Sequence, residues 1–176
     1  LKLGTGISLV TERDPILMAK QVAPLDHLSN GRLVLGVGAG WNAEEMENHG
    51  TPFDKRWPIL RERTLAMREI WCSEEAEFHG EFVDFDKIWS YPKPKQSGGP
   101  PILMGASSRF TYDRIAEYAD GWMPIYQDHA RRQASGGVDY AAGIANTREA
   151  WQARGRDGQP RFSIFGVGPD RRAVSE

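Results

Sequence analysis

Residues 34–41 read Val-Leu-Gly-Val-Gly-Ala-Gly-Trp, placing Gly36, Gly38 and Gly40 on alternate positions at the end of an apolar run. Glycines at a strand end let a ligand approach bare backbone, as in the dinucleotide-binding turn Gly-x-Gly-x-x-Gly. Here the third glycine slot holds Trp41. The acid expected about 20 residues further on has Glu62 as its nearest candidate, inside an amphipathic helical pattern. The dinucleotide fingerprint is not met.

Gly4-Thr5-Gly6 and Gly105-Ala106-Ser107-Ser108 have the same small-residue character. A tight turn explains any one of these stretches. Three of them at strand ends point to a flat ligand lying against main-chain N–H groups. Ser107-Ser108-Arg109 is the most chemical of the set. Ser107 can cap the helix that follows, whose N-terminus suits phosphate, and Arg109 can add a bidentate contact.

The other candidates are weaker. His27, His49, His79 and His129 have no second ligand at metal spacing and read as structural or surface residues. Glu44, Glu45 and Glu47 follow Trp41 and could approach a substrate, but an acidic first turn of a helix explains them equally well. Trp41, Trp57 and Trp122 could wall a site, with core packing the better reading for Trp57.

Strand and helix signals alternate in the elements that must carry these residues. Residues 1–10 are β-like. Asp14-Pro15 opens a helix, Met18, Val22, Leu25 and Ser29 share one face, and Asn30-Gly31 closes it. Pro24 inside that pattern predicts a kink. Residues 32–38 form a continuous apolar strand, as expected where both faces are covered. Pro58 starts a second helix with Leu60, Thr64, Met67 and Trp71 buried and Arg61, Glu62, Arg68 and Glu69 wet. Residues 77–91 read as a hairpin around His79-Gly80. Strand 102–106, helix 107–119, strand 121–126, helix 138–154 and strand 161–167 complete the chain.

Five strands with helical crossovers predict an α/β fold with a mostly parallel sheet. A closed (β/α)₈ barrel takes about 250 residues, so 176 residues hold a partial TIM barrel or a complete open sheet. Both ends look cut, which favours a single barrel domain over 1–176, incomplete at each end. In such folds, sites form beyond the carboxyl ends of the strands, where all three glycine stretches fall.

Composition bounds the function. The net charge is −2 with 26% charged residues, so there is no basic footprint for nucleic acid; Arg131-Arg132 and Arg171-Arg172 are too isolated. Cys72 alone excludes an intrachain disulfide framework. No apolar run approaches the roughly 20 residues of a membrane span and no signal peptide is visible, so the expected compartment is cytoplasmic. An incomplete barrel exposes sheet edges that invite another strand, and a homo-oligomer is expected.

The segments LGTG, DPILMAKQVAPLDHLSNGRLVLGVGAGW, HGEFVDF, PKP, PPILMGASS and ADGW, in this order over residues 1 to about 125, resemble the bacterial luciferase-like superfamily, most closely its coenzyme F420-dependent oxidoreductases. The resemblance implies a TIM barrel of which these strands are the third to seventh. It implies a small hairpin insertion, a small organic substrate, and F420 as cofactor with FMN as the alternative. It places a bulge with a non-proline cis peptide at or beside Gly6-Ile7, behind the pyridine edge of the ring. Gly38, Ala39, Gly40 and Asn42 would touch the ring or ribityl chain, and Gly105, Ala106, Ser107 and Ser108 would hold the phosphate. Catalytic acids and histidines of relatives lie on the early strands, so no catalytic residue is assigned. Two other readings stand: a module that binds cofactor or a partner chain without turnover, and a phosphosugar binder using Ser107-Ser108-Arg109.

Overall fold

The computed structural model describes residues 1–126 and 137–166. The chain forms two compact units, 1–102 and 103–176. Both follow the parallel strand–helix–strand pattern of a partial TIM barrel. His129, Arg131-Arg132 and Arg171-Arg172 lie outside the described residues.

In the first unit, β1 (Leu3–Gly4) and β2 (Ser8–Leu9) run parallel to β3 (Leu33–Gly38). Between them α1 (Pro15–Leu28) is capped by Asp14, whose carboxylate accepts from Leu17 N–H at 2.7 Å. The helix continues through Pro24. The carbonyl that proline leaves without a donor belongs to Lys20, an exposed residue that water can serve. Gly31 ends the turn at φ +71°, a conformation that favours glycine.

The buried face of α1 differs from expectation at one position. Leu25 is exposed, and Asp26 is fully buried in its place. Asp26 is satisfied there: its carboxylate accepts from Gln96 N–H and Gln96 Nε2, both at 2.8 Å. Small Ala19 and Ala23 complete the packed face.

A short helix α2 (Ala43–Asn48) precedes α3 (Arg56–Cys72). The predicted stripe Leu60, Thr64, Met67 and Trp71 is buried throughout. Glu62, expected on the wet face, instead accepts N–H bonds from Glu81, Phe82 and Val83 at 2.7–3.0 Å. It thereby fixes the turn of the antiparallel hairpin β4 (Glu75–His79) and β5 (Asp84–Trp89). Lys93 of the Pro-Lys-Pro segment donates to Ile70 O at 2.7 Å and Ser73 O at 2.5 Å, closing the end of α3. Leu35 N–H bonds Pro101 O at 2.8 Å, just before β6 (Ile102–Met104).

In the second unit, β7 (Gly121–Trp122) runs parallel to both β6 and β8 (Arg161–Phe162). The helices are α4 (Thr111–Tyr118) and α5 (Tyr140–Ala153). Trp122 is 1% exposed, so it belongs to the core rather than to a site wall. Gly143 of α5 packs so closely on the Trp122 ring that a Cβ there would collide with it. Among the described residues, no helix is long and apolar enough to cross a membrane.

Candidate functional site

The register of the first unit locates an irregularity. Gly4 pairs with Val34 and Ser8 with Val37, so four steps along the first strand match three along β3. The extra residue makes a β-bulge over Thr5–Ile7, of the kind that re-aims backbone next to functional sites. The Gly6-Ile7 peptide is cis, as the resemblance implies. Thr5 Oγ1 donates to Gly36 O at 2.8 Å, and Leu9 pairs with Gly38. Gly6 and Ile7 therefore run alongside the glycine-rich end of β3. Gly6 is exposed and Ile7 half-buried.

Beyond β3, Gly38 and Ala39 are buried. Gly40 has a local reason to be glycine. Its φ is +83°, and a Cβ would meet Met46 Sδ at 2.8 Å, so turn geometry and packing of the buried Met46 both demand it. Asn42 caps α2, accepting from Glu44 and Glu45 N–H at 3.2 and 3.4 Å. Trp41, between them, is 83% exposed. Glu44, Glu45 and Glu47 are exposed on α2.

Gly105 to Ser108 follow β6 in the second unit. Trp122 Nε1 donates to Ala106 O at 2.6 Å and fixes the middle of that loop. Ser107 does not cap the helix. The helix begins later than predicted, at Thr111, with Phe110 in the capping position and no side-chain cap. Thr111 Oγ1 instead accepts the Ser108 N–H at 2.9 Å. Both serines are exposed. The Arg109 guanidinium stacks 4.5 Å above Phe110 and faces a cleft of about 370 Å³ shared with Tyr112, Asp113, Asn146 and Glu149.

Among the described residues, the side chains of His27 and His79 bond to other parts of the protein. His27 Nε2 lies 2.6 Å from Lys93 O, and His79 Nδ1 lies 2.7 Å from Asp84. No cluster of three metal-ligating side chains exists among the described residues.

Sequence reasoning missed Glu12, which follows β2 in a 3-10 turn over Val10–Glu12. Its side chain is 8% exposed, with Oε2 4.0 Å from His49 Nε2, and its buried Oε1 has no hydrogen-bond partner. Burial raises the carboxyl pKa and Glu45 raises it further, against smaller lowering by His49 and Arg13. The folded state therefore holds this proton at a pH where the unfolded chain has released it. Stability from this group is full below the ordinary carboxyl range and declines as pH rises through the raised value. Glu12→Gln is thus expected to stabilise the protein relative to wild type increasingly from pH 4 towards pH 7. Urea midpoints at several pH values check this, and a pH-independent difference would refute it.

The family model for luciferase-like monooxygenases matches residues 1–167. The chain belongs to that family. An uncharacterized protein of Mycobacterium tuberculosis is 40% identical over 169 residues, covering 96% of this chain and 57% of that protein. The FMNH2-dependent dimethylsulfone monooxygenase of Pseudomonas putida is 35% identical over 109 residues, covering 60% of this chain and 30% of that enzyme. A solved F420-dependent secondary alcohol dehydrogenase, in complex with an F420-acetone adduct, superposes with a TM-score of 0.69 at 20% identity, over 93% of this chain and 48% of its own. This luciferase-like chain thus spans little more than half the length of the first relative and less than a third of the second.

Proposed function

We propose that this luciferase-like chain is the cofactor-binding part of an oxidoreductase that uses coenzyme F420, or alternatively FMN, on a small organic substrate. The observation that carries the reading is the bulge over Thr5–Ile7 alongside Gly36–Gly38. Gly6, Gly36 and Gly38 leave main chain bare of side chains along it. Gly6, Ile7, Gly38, Ala39 and Gly40 carry no charge, and this suits a planar ring whose edges seek main-chain partners. In the second unit, the exposed Ser107 and Ser108 hydroxyls suit a phosphate. When bound, the deazaflavin or flavin supplies hydride transfer or oxygen activation. The chain's own residues bind and orient it: Gly6, Ile7 and Gly38 to Asn42 beside the ring, and Gly105 to Ser108 at the phosphate. No described side chain is given a catalytic acid or base role.

Titration with oxidised F420 and with oxidised FMN tests this. The expected result is a shifted cofactor absorbance band with one of them, together with quenching of the exposed Trp41. No shift with either cofactor would end the reading.

A second reading is a module that binds cofactor or a second copy of this chain without turnover. It is favoured by the exposure of the β1 residues Leu3 and Gly4 and by a groove of about 210 Å³ between that strand region and α1, lined by Thr5, Met18, Val22 and Leu25 among others. Tight binding without oxidation of reduced cofactor, with a dimer in light scattering, would support it.

A further inference from the structure

We propose that Thr11 is a positioning residue that locks the loop Ala39–Asn42 against the strand bearing Gly6 and Ile7, and so sets the affinity of the cofactor surface. The inference rests on the cofactor reading above. Thr11 is fully buried two residues beyond β2. Its Oγ1 donates to Ala39 O at 3.2 Å. That carbonyl belongs to a buried residue, where a lost donor is not replaced by water. The backbone of Thr11 is held from the opposite side: its carbonyl accepts from Arg63 Nη1 at 2.5 Å and from Thr51 Oγ1 at 2.6 Å. Arg63 Nη1 also reaches Val10 O at 3.1 Å.

Arg63 stands on α3, whose neighbouring Leu60 and Met67 are fully buried. Thr51 N–H bonds Met46 O at 2.9 Å, and Met46 is the buried residue beneath Gly40. One side chain therefore connects a helix-anchored turn after the bulged strand to the turn after β3. In the first unit these are the two exits that the cofactor reading uses. A hydroxyl is required here. Valine has the same shape but cannot donate, and would leave the Ala39 carbonyl unpaired. Serine keeps the donor and loses only a methyl group.

The test compares Thr11→Val and Thr11→Ser in the full chain by two measurements. One is amide hydrogen exchange over residues 39–45, with the hairpin 75–89 as internal reference. The other is the Kd for F420 and for FMN. With Thr11→Val, exchange over 39–45 should accelerate about fivefold while the hairpin is unchanged, and the Kd should rise about fivefold, as for one buried hydrogen bond. Thr11→Ser should restore both. Wild-type exchange and wild-type Kd in Thr11→Val would overturn the proposal, as would equal acceleration in the hairpin, which signifies global loosening. Absence of cofactor binding by the wild-type chain would instead overturn the cofactor reading and, with it, the role in affinity. The exchange measurement would then still decide whether Thr11 holds the loop.

Discussion

Gly121→Ala should lower the stability of residues 103–176 by about 3 kcal/mol, at the upper end of overpacking costs. Gly121 lies on β7 directly opposite Arg161 of β8, and a Cβ built on it would fall on the Arg161 carbonyl. The obstacle is main chain, so no rotamer change relieves it. Relief requires β8 to move away, and the ladder around it resists. Arg161 N–H bonds Asp120 O at 2.8 Å, Ser163 N–H bonds Trp122 O at 3.0 Å, and Phe165 N–H bonds Pro124 O at 3.0 Å. Displacing β7 also moves Trp122, which packs edge-on to Tyr112 at 5.9 Å and holds Ala106 O. A thermal melt should show a Tm lowered by roughly 6–12 °C for a chain of this size. A fall of less than about 2 °C would mean that β8 moves aside freely.

Asp26→Ala should cost the 1–102 unit about 3 kcal/mol by removing a fully buried carboxylate that accepts two hydrogen bonds from the half-buried Gln96. The Asp26 carboxylate is the acceptor for both the backbone and the side-chain amide of Gln96. Gln96 Nε2 is shared with Leu33 O at 2.9 Å, the first residue of β3, so the end of α1, the loop before β6 and the start of β3 meet at this carboxylate. Asp26→Asn keeps one acceptor and turns an amide N–H₂ towards the other donor, and about half the loss is expected. Urea denaturation measures both variants. A change within about 0.5 kcal/mol for Asp26→Ala would show that Gln96 finds other acceptors.

The Asp26 prediction bears on what could be read in the sequence. Asp26, Ser29, Gly31 and Arg32 belong to one of the segments that carry the family resemblance, and here they act as a structural latch. Ser29 Oγ donates to Asp26 O at 3.0 Å and accepts from Arg32 N–H at 3.2 Å, and Arg32 Nε donates to Ser29 O at 2.7 Å. Gly36, Gly38 and Gly40 were legible as a special stretch, but not for one shared reason. Gly40 answers to its own backbone angle and to Met46, while Gly36 and Gly38 lie along the bulged strand. The serines after β6 were legible as exposed polar groups. Their relation to α4 was not, because a shift of the helix start transferred the backbone contact from Ser107 to Thr111.

Local chemistry was sufficient for the alternation of strands and helices, the Asp14 cap, the Asn30-Gly31 stop, the hairpin and the buried stripe of α3. Each depends on residues within a few positions of one another, where periodicity and turn preference act directly. The tertiary structure alone decided that Asp26 rather than Leu25 faces inward, that Glu62 holds a turn about 20 residues away, and that Thr11 joins Ala39 to Arg63. Those outcomes depend on which donors and acceptors, distant in sequence, the folded chain brings together. Most buried polar groups must find a partner, and no local pattern of residue types states which one it will be.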